Sequence, residues 1–242
     1  MTTYKEIFGK YVRSVSSDPP TTAGVGEIWY NTSSNTFKTV GFNFAWASGG
    51  TLGTARTFGG GAGDKDSGLV AGGYGASGST ADTEEYNGTS WSEQNNLGTA
   101  RYEAFLRGTQ TAGLMFGGYS GGGVALTELY NGSTWSEQND LNTGRNTLAG
   151  AGTSIAMLAF GGNPSPALAF TEEYNGTSWS EQSDMNTGRR YLTGFGTQTA
   201  AVAAGGGYPT AVANVEEYNG SSWTTVSALP ATRQRFSNCC RV

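Results

Sequence analysis

The pattern Tyr-Asn-Gly-x-x-Trp occurs four times at a fixed interval of 44 residues, with its tyrosine at Tyr86, Tyr130, Tyr174 and Tyr218. Each tyrosine is followed five positions later by a tryptophan: Trp91, Trp135, Trp179 and Trp223. Ten positions beyond each tryptophan stands an arginine, at Arg101, Arg145, Arg189 and Arg233. Sixteen further on comes a glycine pair, Gly117-Gly118, Gly161-Gly162 and Gly205-Gly206, and the same spacing runs upstream through Trp46, Arg56 and Gly72-Gly73. Self-similarity at a period of about 40–50 residues, built from strand-like units, marks a propeller or an array. One uniform repeat through most of 242 residues favours a single large β domain over two smaller ones.

Glycine is very frequent, at 39 residues, Thr, Ser and Asn are abundant, and charged residues make up only 14%. Such a chain is poor in helix formers and rich in turn formers. Low-complexity disorder is the alternative for this composition, but aromatic residues recur at fixed places and supply a core. The formal net charge is −5, there is no histidine, and the lysines are Lys5, Lys10, Lys38 and Lys65. A nucleic-acid partner needs a basic face to neutralise phosphates, so none is expected. No apolar run of about 18 residues is present, so no membrane-spanning helix is expected. The opening MTTYKEIFGKYVRSV has no apolar stretch ending in small residues, so no secretory signal is expected. The two cysteines, Cys239 and Cys240, are adjacent and form no disulfide framework.

Within one unit, Asn131-Gly132 lies between TELY and STWSE, two short runs with aromatic and β-branched residues. Asn-Gly is a strong two-residue hairpin signal, since both central residues of a type I′ turn need positive φ. Upstream, RYEAFLRG and AGLMFGG flank GTQT, a second hairpin. Four antiparallel strands per 44 residues predict one propeller blade. The first strands are small (GGGAG at 59–63, AGAG at 149–152, TGFG at 193–196), as strands crowding a central axis must be. The tryptophans are expected to pack between blades, because each large ring must be buried somewhere.

After Arg233 the chain continues as QRFSNCCRV, the length of one strand. GEIWYN (26–31), TFKTVG (36–41) and FAWAS (44–48) read as second, third and fourth strands. The expectation is an all-β, five-bladed propeller, 24–242, closed by a blade shared between N- and C-terminal strands, which removes exposed sheet edges. Residues 1–23, with Asp18-Pro19-Pro20 as a break, are expected to form a short N-terminal arm.

A glycine pair, then Tyr about twelve residues later, then Trp, then Arg, resembles the Kelch repeat of β-propellers over residues 44–236. The chain departs from most Kelch units in having Tyr and Trp only five residues apart. The opening YKEIFGKYV and the segment GEIWYNTSSNTFK are similar to those of marine bacteriophage structural proteins that carry Kelch-like arrays. This resemblance implies a virion component in the tail or fibre apparatus, exposed on the particle after assembly in the host cytoplasm. It also implies an arm that docks on other virion proteins and an oligomeric assembly.

Catalysis finds little support in the residues. No histidine is available for a Ser or Cys triad or for a zinc site. Copper oxidases occur among Kelch-like folds, but their histidine ligands have no counterpart here. The carboxylate pairs Glu84-Glu85, Glu172-Glu173 and Glu216-Glu217 follow the repeat, and adjacent residues on a strand face opposite ways. No catalytic residue, metal or cofactor is therefore expected. Asp64-Lys65-Asp66-Ser67-Gly68 looks like a calcium-loop fragment, but occupies the positions of a hairpin turn and lacks a distal glutamate. Asn87, Asn131, Asn175 and Asn219 lie in N-G-[ST] sequons, yet a turn role accounts for them.

Two sets of residues are candidates for binding. Arg56, Arg101, Arg145, Arg189 and Arg233 form one column, open to two readings. Glu84, Glu128, Glu172 and Glu216 form a second column; either each arginine pairs with a carboxylate or caps carbonyls between blades, or the five together ring one mouth and meet an anionic glycan. The loops YGASGSTAD, YSGGGVAL, NPSPALAF and GYPTAVAN differ between units while the frame around them barely changes. Loops on a rigid frame are where recognition usually lives, and Tyr74, Tyr119 and Tyr208 in them are candidates for stacking on sugar rings; the alternative is ordinary drift between duplicated units. The functional expectation is a non-enzymatic virion structural protein that contacts a host-surface glycan or protein, or its neighbours in the particle, through its loops. The alternative is an interaction propeller outside a virion.

Overall fold

An arginine backbone carbonyl docked on a glycine pair joins each repeat to the next, and the period of the sequence follows from this joint. The computed structural model describes residues 3–7, 10–15, 28–39 and 49–234, apart from Ser165 and Tyr208. The expected strand 44–48 with Trp46, the loop residue Tyr208, and the segment 235–242 with its cysteines lie outside the described residues. Among those described there is no helix, and the chain divides into two compact units, Met1–Ser48 and Gly49–Val242.

The first unit holds β1 (Thr3–Ile7), β2 (Lys10–Val15), β3 (Ile28–Asn31) and β4 (Thr36–Thr39) in one sheet of that order. β1–β2 and β3–β4 are antiparallel hairpins, whereas β2 and β3 run parallel with Arg13 opposite Trp29. Parallel neighbours need a connection of about a dozen residues, which here is 16–27 with its Asp-Pro-Pro break. The expected turn after Asn31 is present: Asn31 Oδ1 accepts the amides of Ser33 and Ser34 at 3.0 and 3.1 Å. The expected strand order is corrected. β3 has β2 on one side and β4 on the other, so no C-terminal strand lies beside it, and the expected arm contains two paired strands. Tyr4 and Ile7 in TYKEI, and Tyr11, Val12 and Val15 in KYVRSV, are aromatic or β-branched residues that favour strands.

The second unit is four repeats, each an antiparallel four-stranded sheet. The first comprises β5 (Gly60–Gly63), β6 (Gly68–Ala71), β9 (Thr83–Tyr86) and β10 (Trp91–Glu93), with a small hairpin β7 (Tyr74–Gly75) and β8 (Gly78–Ser79) in its loop. The others are β11 (Phe105–Thr109) to β14 (Trp135–Glu137), β15 (Ala149–Thr153) to β18 (Trp179–Gln182), and β19 (Thr193–Thr197) to β22 (Trp223–Val226). The strands between are β12 (Ala112–Phe116), β13 (Thr127–Tyr130), β16 (Ala156–Phe160), β17 (Thr171–Tyr174), β20 (Ala200–Ala204) and β21 (Val215–Tyr218).

First strands lie side by side: β5 packs on β11, β11 on β15, and β15 on β19. Their small residues are sterically required. A Cβ on Gly60 would stand 2.5 Å from the Cβ of Leu106, and one on Gly194 would stand 2.6 Å from both the Gly150 carbonyl oxygen and Phe160 Cζ. This arrangement of sheets is compatible with a propeller. Among the described residues the series β5, β11, β15, β19 does not return from β19 to β5 with comparable packing.

At each joint, the second glycine of the pair donates its amide to the carbonyl of the next repeat's arginine. The bonds Gly73 to Arg101, Gly118 to Arg145, Gly162 to Arg189 and Gly206 to Arg233 measure 2.9, 2.9, 2.8 and 2.7 Å. The first glycine is left-handed, and a Cβ on Gly117 would sit 2.6 Å from the Arg145 oxygen. The arginine side chain then turns inward to a glutamate of its own repeat: Arg56–Glu84 at 3.0 Å, Arg101–Glu128, Arg145–Glu172 at 2.9 Å and Arg189–Glu216 at 3.1 Å. The other carboxylate oxygen accepts the backbone amide three residues before the arginine, from Gly53, Gly98, Asn142 and Asn186, at 2.7–2.8 Å.

Tryptophans pack between repeats as expected. Trp135, Trp179 and Trp223 donate Nε1–H to Thr83, Thr127 and Thr171 of the preceding sheet at 2.9–3.0 Å. Phe116 and Phe160 meet Trp179 and Trp223 with ring centroids 4.9 Å apart. The neighbouring tyrosines use the second glutamate of the pairs: Tyr130 donates to Glu85 at 2.9 Å, and Tyr218 to Glu173 at 3.2 Å. Where Leu129 replaces that glutamate, Tyr174 donates instead to Gln138 Oε1 at 3.4 Å. Adjacent glutamates thus serve opposite faces, one within the repeat and one across it.

The Asn-Gly hairpins differ in type from expectation. Gly88, Gly132, Gly176 and Gly220 have φ near +90°, while their asparagines are not left-handed. Asn87 N–H bonds Ser90 O at 3.2 Å, so Gly88 is the first central residue, the II′ pattern rather than I′. Asn87 stands one position earlier, and its Oδ1 accepts the amides of Thr89 and Ser90 at 3.0 and 2.9 Å. Sequence alone does not reveal that the side chain does the work the backbone does in a I′ turn.

Two measurements check this architecture. Glu172→Ala strands the Arg145 guanidinium in a site with no solvent exposure, and should lower unfolding free energy in urea by about 3–5 kcal/mol. Arg145→Met/Glu172→Leu, which removes both charges, should recover much of that loss. Burial, with the Glu173 charge and hydrogen bond, pushes the Tyr218 phenol up to about 12, and Tyr130 is raised likewise by burial and Glu85. The protonated phenols therefore stabilise the fold fully below the unfolded value of about 10, and that contribution is lost as pH rises toward 12. Thermal melts of Tyr218→Phe should be flatter than wild type across that window.

Candidate recognition site

The residue two positions after Arg56, Arg101, Arg145 and Arg189 has a left-handed backbone: Phe58 (φ 57°), Glu103 (54°), Thr147 (55°) and Tyr191 (55°). They are linked in series by backbone hydrogen bonds. Glu103 N–H donates to Phe58 O, Thr147 N–H to Glu103 O, and Tyr191 N–H to Thr147 O, each at 3.0 Å. The four thus form an arc at one end of the inner strands. Positive φ is uncommon outside glycine and a true outlier for bulky or β-branched side chains such as Phe, Tyr and Thr.

The residue just before each of these joins the same rim. Thr57, Tyr102, Asn146 and Arg190 form isolated bridges with Tyr74, Tyr119, Asn163 and Gly207, the first residues of the four variable loops. The loops therefore open beside the arc, and two of the predicted loop tyrosines come together there. Tyr102 is in ring contact with both, at 5.1 Å to Tyr74 and 5.3 Å to Tyr119, and Phe58 lies 6.3 Å from Tyr102. Phe58 and Tyr74 are 48% and 47% exposed, which makes this an aromatic surface and not a buried core. Partial burial, then the Glu103 charge, then Tyr119, Tyr74 and Tyr191, raise the Tyr102 phenol above its ordinary value.

The remainder of the rim is polar. Asn146 Nδ2 donates to Glu103 Oε2 at 2.7 Å, Asn163 Nδ2 to Asn146 Oδ1 at 3.4 Å, and Arg190 Nη1 to Asn163 Oδ1 at 3.1 Å. The Arg190 guanidinium also lies over the Tyr191 ring at 5.4 Å. One end of the repeats thus presents four clustered aromatic rings beside a chain of amide, carboxylate and guanidinium groups.

The predicted arginine column is elsewhere. The side chains of Arg56, Arg101, Arg145 and Arg189 are at most 1% exposed and held by their glutamates, so they present no charge to a ligand. Burial holds the guanidinium groups of Arg145 and Arg189 below the usual arginine value, against the opposing pull of Glu172 and Glu216. Arg233 is docked through its backbone like the others, but its side chain is exposed. In the Asp64–Ser67 turn, Asp64 Oδ1 accepts the amides of Asp66 and Ser67 at 2.9 and 3.0 Å, the role of a hairpin residue. Among the described residues, no group of three His, Cys, Asp or Glu side chains is placed to hold a metal ion.

Sequence reading missed Phe58, Tyr102, Glu103, Asn146 and Arg190. Their signal was present: they occupy the first and second positions after each repeat arginine, where residue type changes directly after a fixed residue. Compared with known proteins, the chain matches no family model and has no significant similarity to a curated protein.

Strain at the arc gives a check. Glycine relieves a left-handed L-residue of about 1–2 kcal/mol, but costs about 0.5–1 kcal/mol in unfolded-chain entropy. Phe58→Gly should therefore leave the melting temperature unchanged or higher, although it deletes a large side chain. A sharp fall in melting temperature would show that Phe58 is a packing residue.

Proposed function

We propose that this chain is a non-enzymatic recognition protein of a phage virion, tail- or fibre-associated, whose loop face contacts a host surface or neighbouring virion proteins. The observation that carries the recognition reading is the rim: a repeated, strained frame bearing different aromatic and polar side chains in each repeat. Uniform side chains would be enough for a purely structural frame. The virion setting rests on the similarity of the N-terminal segments to phage structural proteins. In the same reading the fold is a five-bladed, Kelch-like propeller, with the segment after Arg233 contributing to the fifth blade without pairing with β3. The arm-bearing N-terminal segment docks on other virion proteins, in an oligomeric assembly.

Mass spectrometry and immunogold labelling of purified particles test the setting. Detection at the tail or fibre supports attachment. Detection on the capsid supports a decoration role. Absence from particles overturns the virion reading and leaves an interaction propeller. Deletion of 235–242 tests ring closure: a closed ring predicts a marked fall in melting temperature, and unchanged melting refutes a contribution of that segment.

A further inference from the structure

We propose that the rim is a saccharide-binding site, in which the aromatic half stacks on the apolar face of a sugar ring and the polar half hydrogen-bonds its hydroxyls. The inference rests on the recognition reading above and names the ligand class for that site.

The strained arc is the first support. Glycine alone adopts left-handed φ without penalty, and this chain has 39 glycines, yet places none at 58, 103, 147 or 191. The backbone would be better served by glycine, so the side chains are what these positions retain. Strain of this kind gathers at functional sites because the surrounding fold can impose it. Here the imposing structure is the hydrogen-bonded series from Phe58 to Tyr191.

The chemistry of the rim selects the ligand. Phe58 and Tyr74 are half exposed and continuous with Tyr102 and Tyr119, a clustered apolar surface, which marks interaction sites where scattered residues do not. Beside it, Glu103, Asn146 and Asn163 fix one another's orientation through hydrogen bonds, so their donors and acceptors are preorganised. Sugars carry an apolar C–H face and a hydroxyl edge side by side, and this surface offers the matching pair. A quaternary ammonium ligand needs rings standing around an open space, whereas these rings touch at 5.1–6.3 Å. A polyanionic ligand is disfavoured, because four of the repeat arginines are buried in ion pairs and the rim guanidinium of Arg190 is matched by the carboxylate of Glu103 in the same hydrogen-bonded chain. The site therefore fits a neutral saccharide.

The full chain, screened on an array of bacterial surface-polysaccharide fragments, should retain neutral glycans, and the best of these should then be titrated by calorimetry. Tyr74→Ala and Phe58→Gly should each weaken binding by about tenfold or more, with melting temperature held. Glu103→Gln should weaken it by a smaller factor. Lys65→Ala, in the β5–β6 turn at the opposite end of the strands, should bind as wild type. Retention of no glycan overturns the proposal, as does retention of anionic glycans alone. Folded Tyr74→Ala and Phe58→Gly variants with undiminished binding also overturn it. Failure here with the protein present in particles leaves the virion reading standing; glycan binding by a protein absent from particles does the reverse.

Discussion

The structure of the repeat unit turns on where one arginine carbonyl can go. It enters a site that only a left-handed glycine leaves open, at Gly72, Gly117 and Gly161 in turn, and accepts the amide of the next glycine. That contact fixes the start of each sheet against the end of the second strand of the sheet before. It also delivers the arginine side chain into the interior, where it must meet a carboxylate, because an unpaired buried charge costs several kcal/mol. The glutamate that answers it uses its second oxygen for the amide three residues before the arginine. Glycine pair, arginine and glutamate are thus one device, and the invariance of their spacing follows from the closure of a single hydrogen-bonded circuit.

What the sequence made legible is what that circuit repeats. The period, the four-strand unit, the small inner strands β5, β15 and β19, and the packing of Trp135, Trp179 and Trp223 between sheets were all readable, because each recurs at the same interval and random substitution does not imitate it. The arginine–glutamate alternative was also legible, but sequence offered a second use for the same column, and only burial separates them. The Asn-Gly turns show the limit on a smaller scale. Asn87 Oδ1 captures two amides, which moves the glycine into the first central position, and that side-chain capture cannot be seen from the dipeptide. The N-terminal sheet was less legible still. A parallel pairing of β2 with β3 leaves no local signature, since its partners are separated by a connection whose length alone permits it.

The rim was obscured by its place in the repeat. Attention goes to long loops that vary, whereas Tyr102, Glu103 and Arg190 lie directly after an invariant arginine and look like frame. They belong to both. Their backbones continue the joint from one sheet to the next, and the same joint holds Phe58, Glu103, Thr147 and Tyr191 in a conformation that glycine would prefer. A rigid joint can carry strain that a free loop would relax. Side chains mounted there are held more firmly than those on loops, which suits a surface that must be ready before its ligand arrives.

The fourth repeat argues that the array is not meant to continue with more of the same. Thr83, Thr127 and Thr171 accept tryptophan indoles, but the equivalent residue in the last repeat is Val215, which has no oxygen to offer. Gly53, Gly98, Asn142 and Asn186 give their amides to the joint glutamates, but the equivalent before Arg233 is Pro230, which has no amide proton. Glu217, whose counterparts Glu85 and Glu173 receive a tyrosine from the following sheet, is exposed, and so are Phe195 and the Arg233 side chain. Another identical repeat would find no hydroxyl for its tryptophan at Val215 and no amide proton at Pro230, although the tyrosine-accepting glutamate is kept at Glu217. The joint itself is nevertheless made, with Gly206 bonded to the Arg233 carbonyl at 2.7 Å. The fourth repeat therefore keeps the backbone connection and both glutamates, while Val215 and Pro230 replace the hydroxyl and the amide that its predecessors use.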